Sequence, residues 1–231
     1  MNERTLWYIA DPMCSWCWGF SPVIEAIRHE YGERLAIRLV VGGLRPGTAD
    51  PLAPEKRAEI LHHWHNVQRI TGQPFMFEGA MPEGFVYDTE PACRAVVSAS
   101  LIDSSYTFPL LAAIQHAFYV EQANVTQTDT LTQLAAVVGI PATQFSQVFA
   151  SDAVKQATQQ HFRQAIQWGV RGFPTVIGQD VAGLHLLTNG YCTIETMRQR
   201  IDAWLNTASA SECKGASLTF DILTLSFSSF D

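Results

Sequence analysis

The chain has little basic charge and no long apolar stretch, and each absence excludes a class of partner. It carries 15 lysines and arginines against 22 aspartates and glutamates, for a formal net charge of −7. Such a surface disfavours nucleic acid, whose phosphates require cationic contacts, and it disfavours anionic lipid headgroups for the same reason. No apolar run approaches the roughly 18–20 residues that cross a bilayer. We therefore expect neither a nucleic-acid nor a membrane partner.

The amino terminus lacks the features of a secretory signal. Its apolar stretch, residues 5–10, is short, and Asp11 and Pro12 end it. A signal peptide needs a longer apolar segment followed by a small-residue cleavage site. We therefore expect a cytoplasmic protein, in a compartment where glutathione and thioredoxin keep thiols reduced.

Cysteine is scarce, and its distribution excludes a disulfide scaffold. The number is odd and only the first two are closely spaced; the five are Cys14, Cys17, Cys93, Cys192 and Cys213. Cys93 follows Ala92 and precedes other apolar residues, so we expect a buried thiol there. Cys192 and Cys213 receive no role, although Cys213 could be exposed and reactive.

No metal site is expected. A zinc site at Cys14 and Cys17 would require two further ligands, and the sequence has no second C-x-x-C. His62 and His65 share a face of a predicted helix, with His63 beside them. No carboxylate or thiol at a suitable spacing completes a site, so we interpret this cluster as a solvated or partly packed helix face.

The apolar pattern predicts an α/β protein whose sheet is interrupted by helices. Hydrophobic residues make up 47% of the chain, enough for a sizeable core. Residues 5–10 and 35–41 are typical of strands, and residues 15–31 between them have helical spacing. The intervening helices are predicted at residues 55–70, 90–102, 106–121, 129–138, 142–149 and 152–168.

Strand character returns after this helical block. Residues 175–177 and 181–187 predict a hairpin that turns at 178–180, and a last helix follows at 193–205. The order β-α-β, helical insertion, β-β-α allows a mixed sheet with helices on both faces. In domain terms, residues 1–50 and 169–207 would form the sheet domain, residues 51–168 the insertion, and residues 208–231 a tail without an assigned structure.

The candidate chemistry lies in Cys14-Ser15-Trp16-Cys17, a C-x-x-C between a predicted strand and a predicted helix. Cys14 would sit at the helix N-terminus, where free N–H groups and the helix dipole stabilise a thiolate. The thiolate is the nucleophile in disulfide exchange. Cys17, one turn further, is placed to attack a mixed disulfide and release the product. Cys14 and Cys17 are therefore the predicted catalytic residues.

A second element, Phe173-Pro174-Thr175, precedes the predicted hairpin. Proline is the usual site of cis peptide bonds, and a cis Phe173–Pro174 bond would leave the Phe173 backbone free to pair with a substrate strand. A trans proline that opens a strand is the plainer alternative. We predict Phe173, Pro174 and Thr175 as substrate-binding residues, with Trp16 exposed between the cysteines to contact an apolar substrate.

Together these elements resemble the thioredoxin superfamily, and the helical insertion resembles its DsbA-like branch. Residues 11–20, DPMCSWCWGF, are similar to the active-site segment of cytosolic, FrnE-like predicted protein disulfide isomerases. The resemblance covers about residues 4–207 and implies a thioredoxin-like fold, Cys14 as nucleophile and a cis Pro174 opposite it. Pro22, eight residues after Cys14, matches the proline that bends the corresponding helix of thioredoxins.

The residues between the cysteines depart from the best-known members of that superfamily. Ser15 and Trp16 replace the Gly-Pro of thioredoxin and the Pro-His of periplasmic DsbA. The intervening pair tunes the reduction potential, and Trp16 cannot supply the charge that a histidine would. A strongly oxidising potential is therefore not expected.

The sequence thus predicts a protein disulfide oxidoreductase or isomerase that acts on protein or small thiol and disulfide substrates. No cofactor is expected, with glutathione as an optional co-substrate. Two alternatives stay open: a glutathione-dependent transferase or isomerase of the kappa-class type, whose members have serine where Cys14 stands, and a redox-sensing binding module. The oligomeric state is left open between monomer and homodimer.

Overall fold

The computed structural model describes residues 4–212, and its centre is a sheet of four strands. The strands are β1 (Thr5–Ala10), β2 (Ala36–Val41), β3 (Thr175–Asp180) and β4 (Gly183–Asn189), and their order across the sheet is β2-β1-β3-β4. β1 is parallel to β2 and antiparallel to β3, and β4 is antiparallel to β3. The predicted mixed sheet is confirmed.

The helices follow the predicted order. They are α1 (Ser15–Tyr31), α2 (Pro54–Thr71), α3 (Glu90–Ile102), α4 (Thr107–Tyr119), α5 (Thr128–Val137), α6 (Ala142–Ala150), α7 (Asp152–Gln167) and α8 (Ile194–Glu212). A single 3-10 turn, Ser104–Tyr106, leads into α4. Within residues 4–212, no helix combines the length and the apolar character that a bilayer crossing requires.

Alternation along β1 gives the sheet a core on each face. Leu6 and Tyr8 are fully buried in the larger core, which α1, α3 and α4 help to fill. Ile9 points to the opposite face and packs with Val40 and with Ala165 of α7 in a smaller core. Because successive strand residues face opposite sides, one short strand anchors both layers of helices.

The hairpin turns later than the sequence predicted. Gly178-Gln179-Asp180 was the expected turn, but these residues continue β3, and the chain reverses at Val181–Ala182. A Cβ on Gly178 would lie 2.6 Å from the Trp204 ring, so this glycine serves close packing against α8. A glycine within a strand commonly marks such an approach.

The last helix is longer than predicted. α8 was expected to end at Leu205, but it continues to Glu212, five residues into the segment 208–231 that the sequence left unassigned. Residues 213–231, including Cys213, lie outside the described residues. The predicted domain boundaries remain a prediction.

Candidate active site

The dithiol lies where β1 passes into α1. The Cys14 amide donates to the Asp11 carbonyl at 3.1 Å, which forms a turn between strand and helix. Cys14 is the N-cap residue of α1, and no side chain caps the helix there. The amides of Cys17 and Trp18 donate to the Cys14 carbonyl at 3.0 Å. The Cys14 thiol therefore belongs to the N-cap residue of α1, as predicted, at the positive end of the helix dipole.

The two thiols differ in access to solvent. Both are free, and Cys14 retains 7% exposure whereas Cys17 has none. Burial is the main factor that raises the pKa of the Cys17 thiol, and a hydrogen bond with Cys14 raises it further. Cys17 is thus held as a neutral thiol behind Cys14. This asymmetry fits an outer attacking cysteine and an inner resolving one.

The proline loop meets the outer cysteine. The Phe173–Pro174 peptide is cis, as expected, and the Cys14 thiol lies 3.7 Å from the Phe173 carbonyl oxygen. Gly42 permits this approach, because a Cβ there would lie 2.0 Å from the Phe173 ring. The sequence predicted free backbone groups at Phe173; in the structure its carbonyl already contacts Cys14, and a substrate strand would have to displace that contact.

Pro174 and Thr175 are less accessible than a direct substrate contact would require. Pro174 is buried, and Thr175 is only 1% exposed. The Thr175 hydroxyl donates to the Gly172 carbonyl at 2.8 Å and lies 3.2 Å from the Asn189 side chain. These bonds hold the shape of the loop. The predicted substrate contacts at Pro174 and Thr175 therefore remain predictions, and the geometry favours a positioning role for the Thr175 side chain.

Aromatic rings form the rim beside the dithiol. Trp16 is half-buried rather than fully exposed, with its ring centroid 6.0 Å from that of Tyr191. Tyr191 in turn meets Phe20 edge to face at 6.3 Å. Tyr191 was not predicted as a site residue, although its place four residues after the predicted hairpin is a signal that could have indicated it. A rim of this kind offers apolar surface to a substrate.

A buried carboxylate lies beneath the dithiol turn. Asp11 has no exposed surface, and it accepts hydrogen bonds from the amides of Met13 at 2.8 Å and Leu44 at 2.7 Å. The Cys93 thiol donates to the same carboxylate at 3.3 Å. Burial raises the pKa of Asp11, while the two amides counteract part of that shift. In the sequence, Asp11 marks only the end of the first apolar stretch, because its partners Leu44 and Cys93 lie 33 and 82 residues away.

The helical insertion supports the same turn. Tyr87 is buried, and its hydroxyl donates to the Met13 carbonyl at 2.5 Å. Cys93, which belongs to α3, is fully buried, as predicted, and burial followed by the Asp11 charge raises the pKa of its thiol. Two side chains of the insertion thus hold the segment that carries Cys14.

A second phenol lies beside the inner cysteine. Tyr8 of β1 is fully buried, and its hydroxyl makes no regular hydrogen bond within the described residues. Burial raises the pKa of this phenol well above its ordinary value, and the neighbouring thiols of Cys17 and Cys14 raise it further. The Tyr8 phenol therefore remains protonated, and it can serve as a donor to a Cys17 thiolate.

Several other polar and thiol side chains make contacts that do not involve the dithiol. Glu25 is exposed and pairs with Arg28 at 2.8 Å. The His65 ring stacks on Phe77 with centroids 3.8 Å apart, which makes this helix face partly packed. In residues 4–212, no group of three or more metal-ligating side chains comes together. Cys192 is half-buried, with its sulfur 3.9 Å from that of Met197.

The sheet order, the dithiol at the start of α1 and the cis proline against it define a thioredoxin-type fold with an all-helical insertion. The family model of the DSBA-like thioredoxin domain matches residues 6–202, so the chain belongs to that family. The predicted fold class and the predicted DsbA-like resemblance are confirmed.

Solved structures agree with this assignment. A candidate protein disulfide isomerase from Nitrosomonas europaea is 55% identical with a TM-score of 0.85, over 89% of this chain and 98% of that one. The cytosolic disulfide reductase DsbM from Pseudomonas aeruginosa is 29% identical with a TM-score of 0.71, over 90% and 99% of the two chains. DsbM is also solved with GSH, and that structure gives a TM-score of 0.69.

Curated relatives of a different description are more distant. The ClpXP adapter protein SpxH of Halalkalibacterium halodurans is 22% identical over 171 residues, which is 72% of this chain and 56% of that protein. SpxH of Bacillus subtilis is likewise 22% identical, over 176 residues. The chain spans little more than half the length of these relatives, so their similarity supports a shared fold.

Proposed function

We propose that this protein is a thiol–disulfide oxidoreductase that works by exchange through Cys14, with Cys17 as the resolving thiol. The observation that carries the proposal is the contact of the Cys14 sulfur with the Phe173 carbonyl, 3.7 Å away, on the loop of the cis Pro174. It sets the slightly exposed thiol beside backbone that a substrate strand can pair with. The inner thiol lies directly behind it.

The exchange proceeds in two balanced steps. The Cys14 thiolate attacks one sulfur of a substrate disulfide, the substrate S–S bond breaks, and the departing sulfur leaves as a thiolate that takes up a proton. Cys17 then loses its proton and attacks the Cys14 sulfur, which releases the second substrate thiol. The substrate gains two electrons and two protons, and the protein is left with a Cys14–Cys17 disulfide. Isomerisation differs only in that the substrate thiol, rather than Cys17, resolves the mixed disulfide.

We further propose that the protein works in a cytoplasmic, reducing compartment as a reductase or isomerase. A dithiol at the glutathione poise of the cytosol remains mostly reduced unless its own potential is high. Glutathione is then the natural source of electrons, because two molecules of it can restore the dithiol. The fold match to DsbM, a cytosolic disulfide reductase solved with GSH, supports this choice of reductant.

The substrate is proposed to be a protein or a small disulfide that presents an extended segment. The rim formed by Trp16 and Tyr191 supplies apolar contact, and the Phe173 backbone supplies hydrogen bonds. Backbone pairing recognises an extended chain irrespective of its side chains. Such a site would accept many substrates with modest sequence preference.

The reduction potential of the Cys14–Cys17 pair tests the proposal. The protein is equilibrated with glutathione buffers and its free thiols are trapped, with Cys14→Ser as the control that cannot form the pair. A potential near roughly −270 mV would indicate a reductase, and one above about −200 mV would indicate an isomerase or an oxidant. If no Cys14–Cys17 disulfide forms at any ratio of oxidised to reduced glutathione, the exchange mechanism is wrong.

A redox-sensing binding module is the second candidate, and the SpxH relatives are the observation that favours it, since they carry the name of adapter proteins. Catalytic turnover in insulin reduction distinguishes the two functions, because a sensor changes on oxidation without multiple turnovers.

The Cys17→Ser variant distinguishes the kappa-class alternative from the proposed oxidoreductase. A transferase that uses the thiol of glutathione would retain its activity in that variant, whereas an oxidoreductase would not.

A further inference from the structure

A polar cavity lies at the outer edge of β2, away from the dithiol. It has a volume of about 640 Å³, and Cys14 and Cys17 do not line it. We call it the β2-edge cavity and define it by Trp7, Arg28, Arg38, Phe108 and His161 together with strand residues 36–39. A volume of this size is in the range of small-molecule sites, roughly 300–1,000 Å³.

The outer backbone edge of β2 borders this cavity. β2 is an edge strand, and the amides of Ala36 and Gly42 donate inward to β1. Alternation therefore directs the amides and carbonyls of Ile37 and Leu39 outward, on the side away from β1. Val41, the next outward residue, donates to His161. Within residues 4–212, the strand edge at Ile37 and Leu39 therefore has no backbone partner and is open to a ligand.

His161 presents a hydrogen-bond donor. Its Nδ1 atom accepts from the Val41 amide at 3.3 Å, which requires the ring proton to be on Nε2. Burial lowers the pKa of His161, so the ring is neutral and keeps this tautomer at neutral pH. Within the described part of the chain, no acceptor meets Nε2. The ring therefore offers one N–H from a wall of the cavity.

The charged side chains around the cavity are cationic. Arg28 and Arg38 line it, and no aspartate or glutamate is among the lining residues. Arg28 is partly compensated, since it pairs with Glu25 at 2.8 Å, and its guanidinium lies 4.0 Å above the Phe108 ring. Arg38 is exposed and lies 5.9 Å from the Trp7 ring. On a chain with a net charge of −7, this local excess of positive charge favours an anion.

We propose that the β2-edge cavity binds a small organic anion, with its carboxylate or phosphate group held by Arg38, Arg28 and His161. The flat apolar part of the ligand lies against Trp7, which pairs in register with Arg38 and lies beside its guanidinium, and the open edge of β2 supplies the remaining hydrogen bonds. This site is separate from the exchange chemistry. Cys14 follows the carboxyl end of β1, whereas the cavity flanks the amino-terminal half of β2.

Backbone amide NMR of the full chain tests the proposal with defined probes. Phenyl phosphate and benzoate are titrated at constant ionic strength, with benzyl alcohol as the neutral analogue. Saturable shifts at the Ile37 and Leu39 amides are expected for an anion and not for the alcohol. Whichever anion binds more tightly identifies the preferred head group.

Arg38→Gln and Arg34→Gln form a matched pair for this titration. Both arginines are exposed and each change removes one positive charge, but Arg34 lies over Tyr31 outside the cavity. Binding should weaken about tenfold or more in R38Q, from loss of a charge-assisted bond, and change less than about twofold in R34Q. If R38Q does not fold, Arg28→Gln replaces it.

Three results would overturn the site. One is the absence of saturable shifts with either anion. The second is equal binding of benzyl alcohol, which would show that charge is irrelevant. The third is an equal loss in both arginine variants, which would mean that only the net charge of the protein matters.

Discussion

Cys14 and Cys93 lie on two sides of the same turn, and their surroundings differ in the features that favour or oppose a thiolate. Cys14 stands at the N-cap of α1 with 7% exposure, beside the Phe173 carbonyl. Cys93 lies inside α3 without exposure, and its thiol donates to the Asp11 carboxylate. A helix N-terminus favours a thiolate, whereas a buried carboxylate next to a thiol opposes one. The proposed function therefore assigns thiol exchange to Cys14, which lies at a helix N-terminus, and not to Cys93, which lies beside the Asp11 carboxylate.

The largest effect is expected from Cys14→Ser. Insulin reduction with glutathione as electron source should fall to the uncatalysed background, because the attacking sulfur is lost. Cys93→Ser is the matched control, and it should retain most of the turnover. If the two variants lost activity equally, the proposal that only Cys14 takes part in exchange would be wrong.

Cys17→Ser should separate the two steps of exchange. The first attack by Cys14 remains possible, so a mixed disulfide between Cys14 and the substrate should accumulate, and multiple turnover should be lost. Mass spectrometry of the acid-quenched reaction measures the adduct. An adduct on Cys93 instead of Cys14 would contradict the assignment of the reactive thiol.

The resolving step should depend strongly on pH in the wild-type protein. Burial raises the pKa of Cys17, and that cause persists in the mixed disulfide. Because only the thiolate attacks, the rate of resolution should rise up to about tenfold per pH unit above neutrality until the pH approaches that raised pKa. Single-turnover release of the second substrate thiol measures this rate. A rate independent of pH between about 6 and 9 would show that Cys17 is already ionised.

Asp11→Asn tests the charge that distinguishes the two thiols. An asparagine cannot accept from both amides and the Cys93 thiol as the carboxylate does, so about 1–3 kcal/mol of stability should be lost. Because the pKa of Asp11 is raised in the fold, its contribution is complete below its ordinary pKa and declines as the pH rises through the folded value. The variant should therefore be more destabilised at about pH 4 than at about pH 7, as measured by urea unfolding. An opposite trend would mean that the folded protein lowers this pKa.

Cys93 substitutions should give the smallest effects. Cys93→Ala leaves a small cavity and removes the donor to Asp11, at a cost of about 1–2 kcal/mol, whereas Cys93→Ser keeps a donor. Turnover should change less than about twofold in either variant once unfolding is corrected for. Thermal unfolding and insulin reduction, measured on the same samples, distinguish a supporting thiol from one that takes part in exchange.

Much of the fold could be predicted because its signals are local. A short apolar and aromatic run marked β1, helical spacing marked α1, and the C-x-x-C between them placed the dithiol correctly. Pro174 before a strand indicated the loop that meets Cys14. In each case, neighbouring residues in the sequence carry the physical cause.

The missed features depend on partners that are distant in the sequence. The Asp11–Cys93 contact joins residues 82 apart, and the Tyr87–Met13 contact joins residues 74 apart. The hairpin turn was misplaced because Gly178 has a local turn signal, whereas its reason is the ring of Trp204 on another element. Thr89 shows the same limit at the start of α3. Its hydroxyl accepts from the Arg45 amide, 44 residues away, and makes no cap bond to the helix.

Two hydrogen bonds, from Tyr87 to Met13 and from Cys93 to Asp11, join the helical insertion to the turn that precedes Cys14. They limit how much of the insertion can be removed from this chain. A minimal version made from the four strands with α1 and α8 would keep the sheet order, yet it would lose both Tyr87 and Cys93. Asp11 would then lose the hydrogen bond from the Cys93 thiol, and the Met13 carbonyl would lose the hydrogen bond that the Tyr87 hydroxyl donates to it. A shortened chain would need replacement contacts at those two points, so the inserted helices are part of the structure that holds Cys14, the proposed nucleophile, in place.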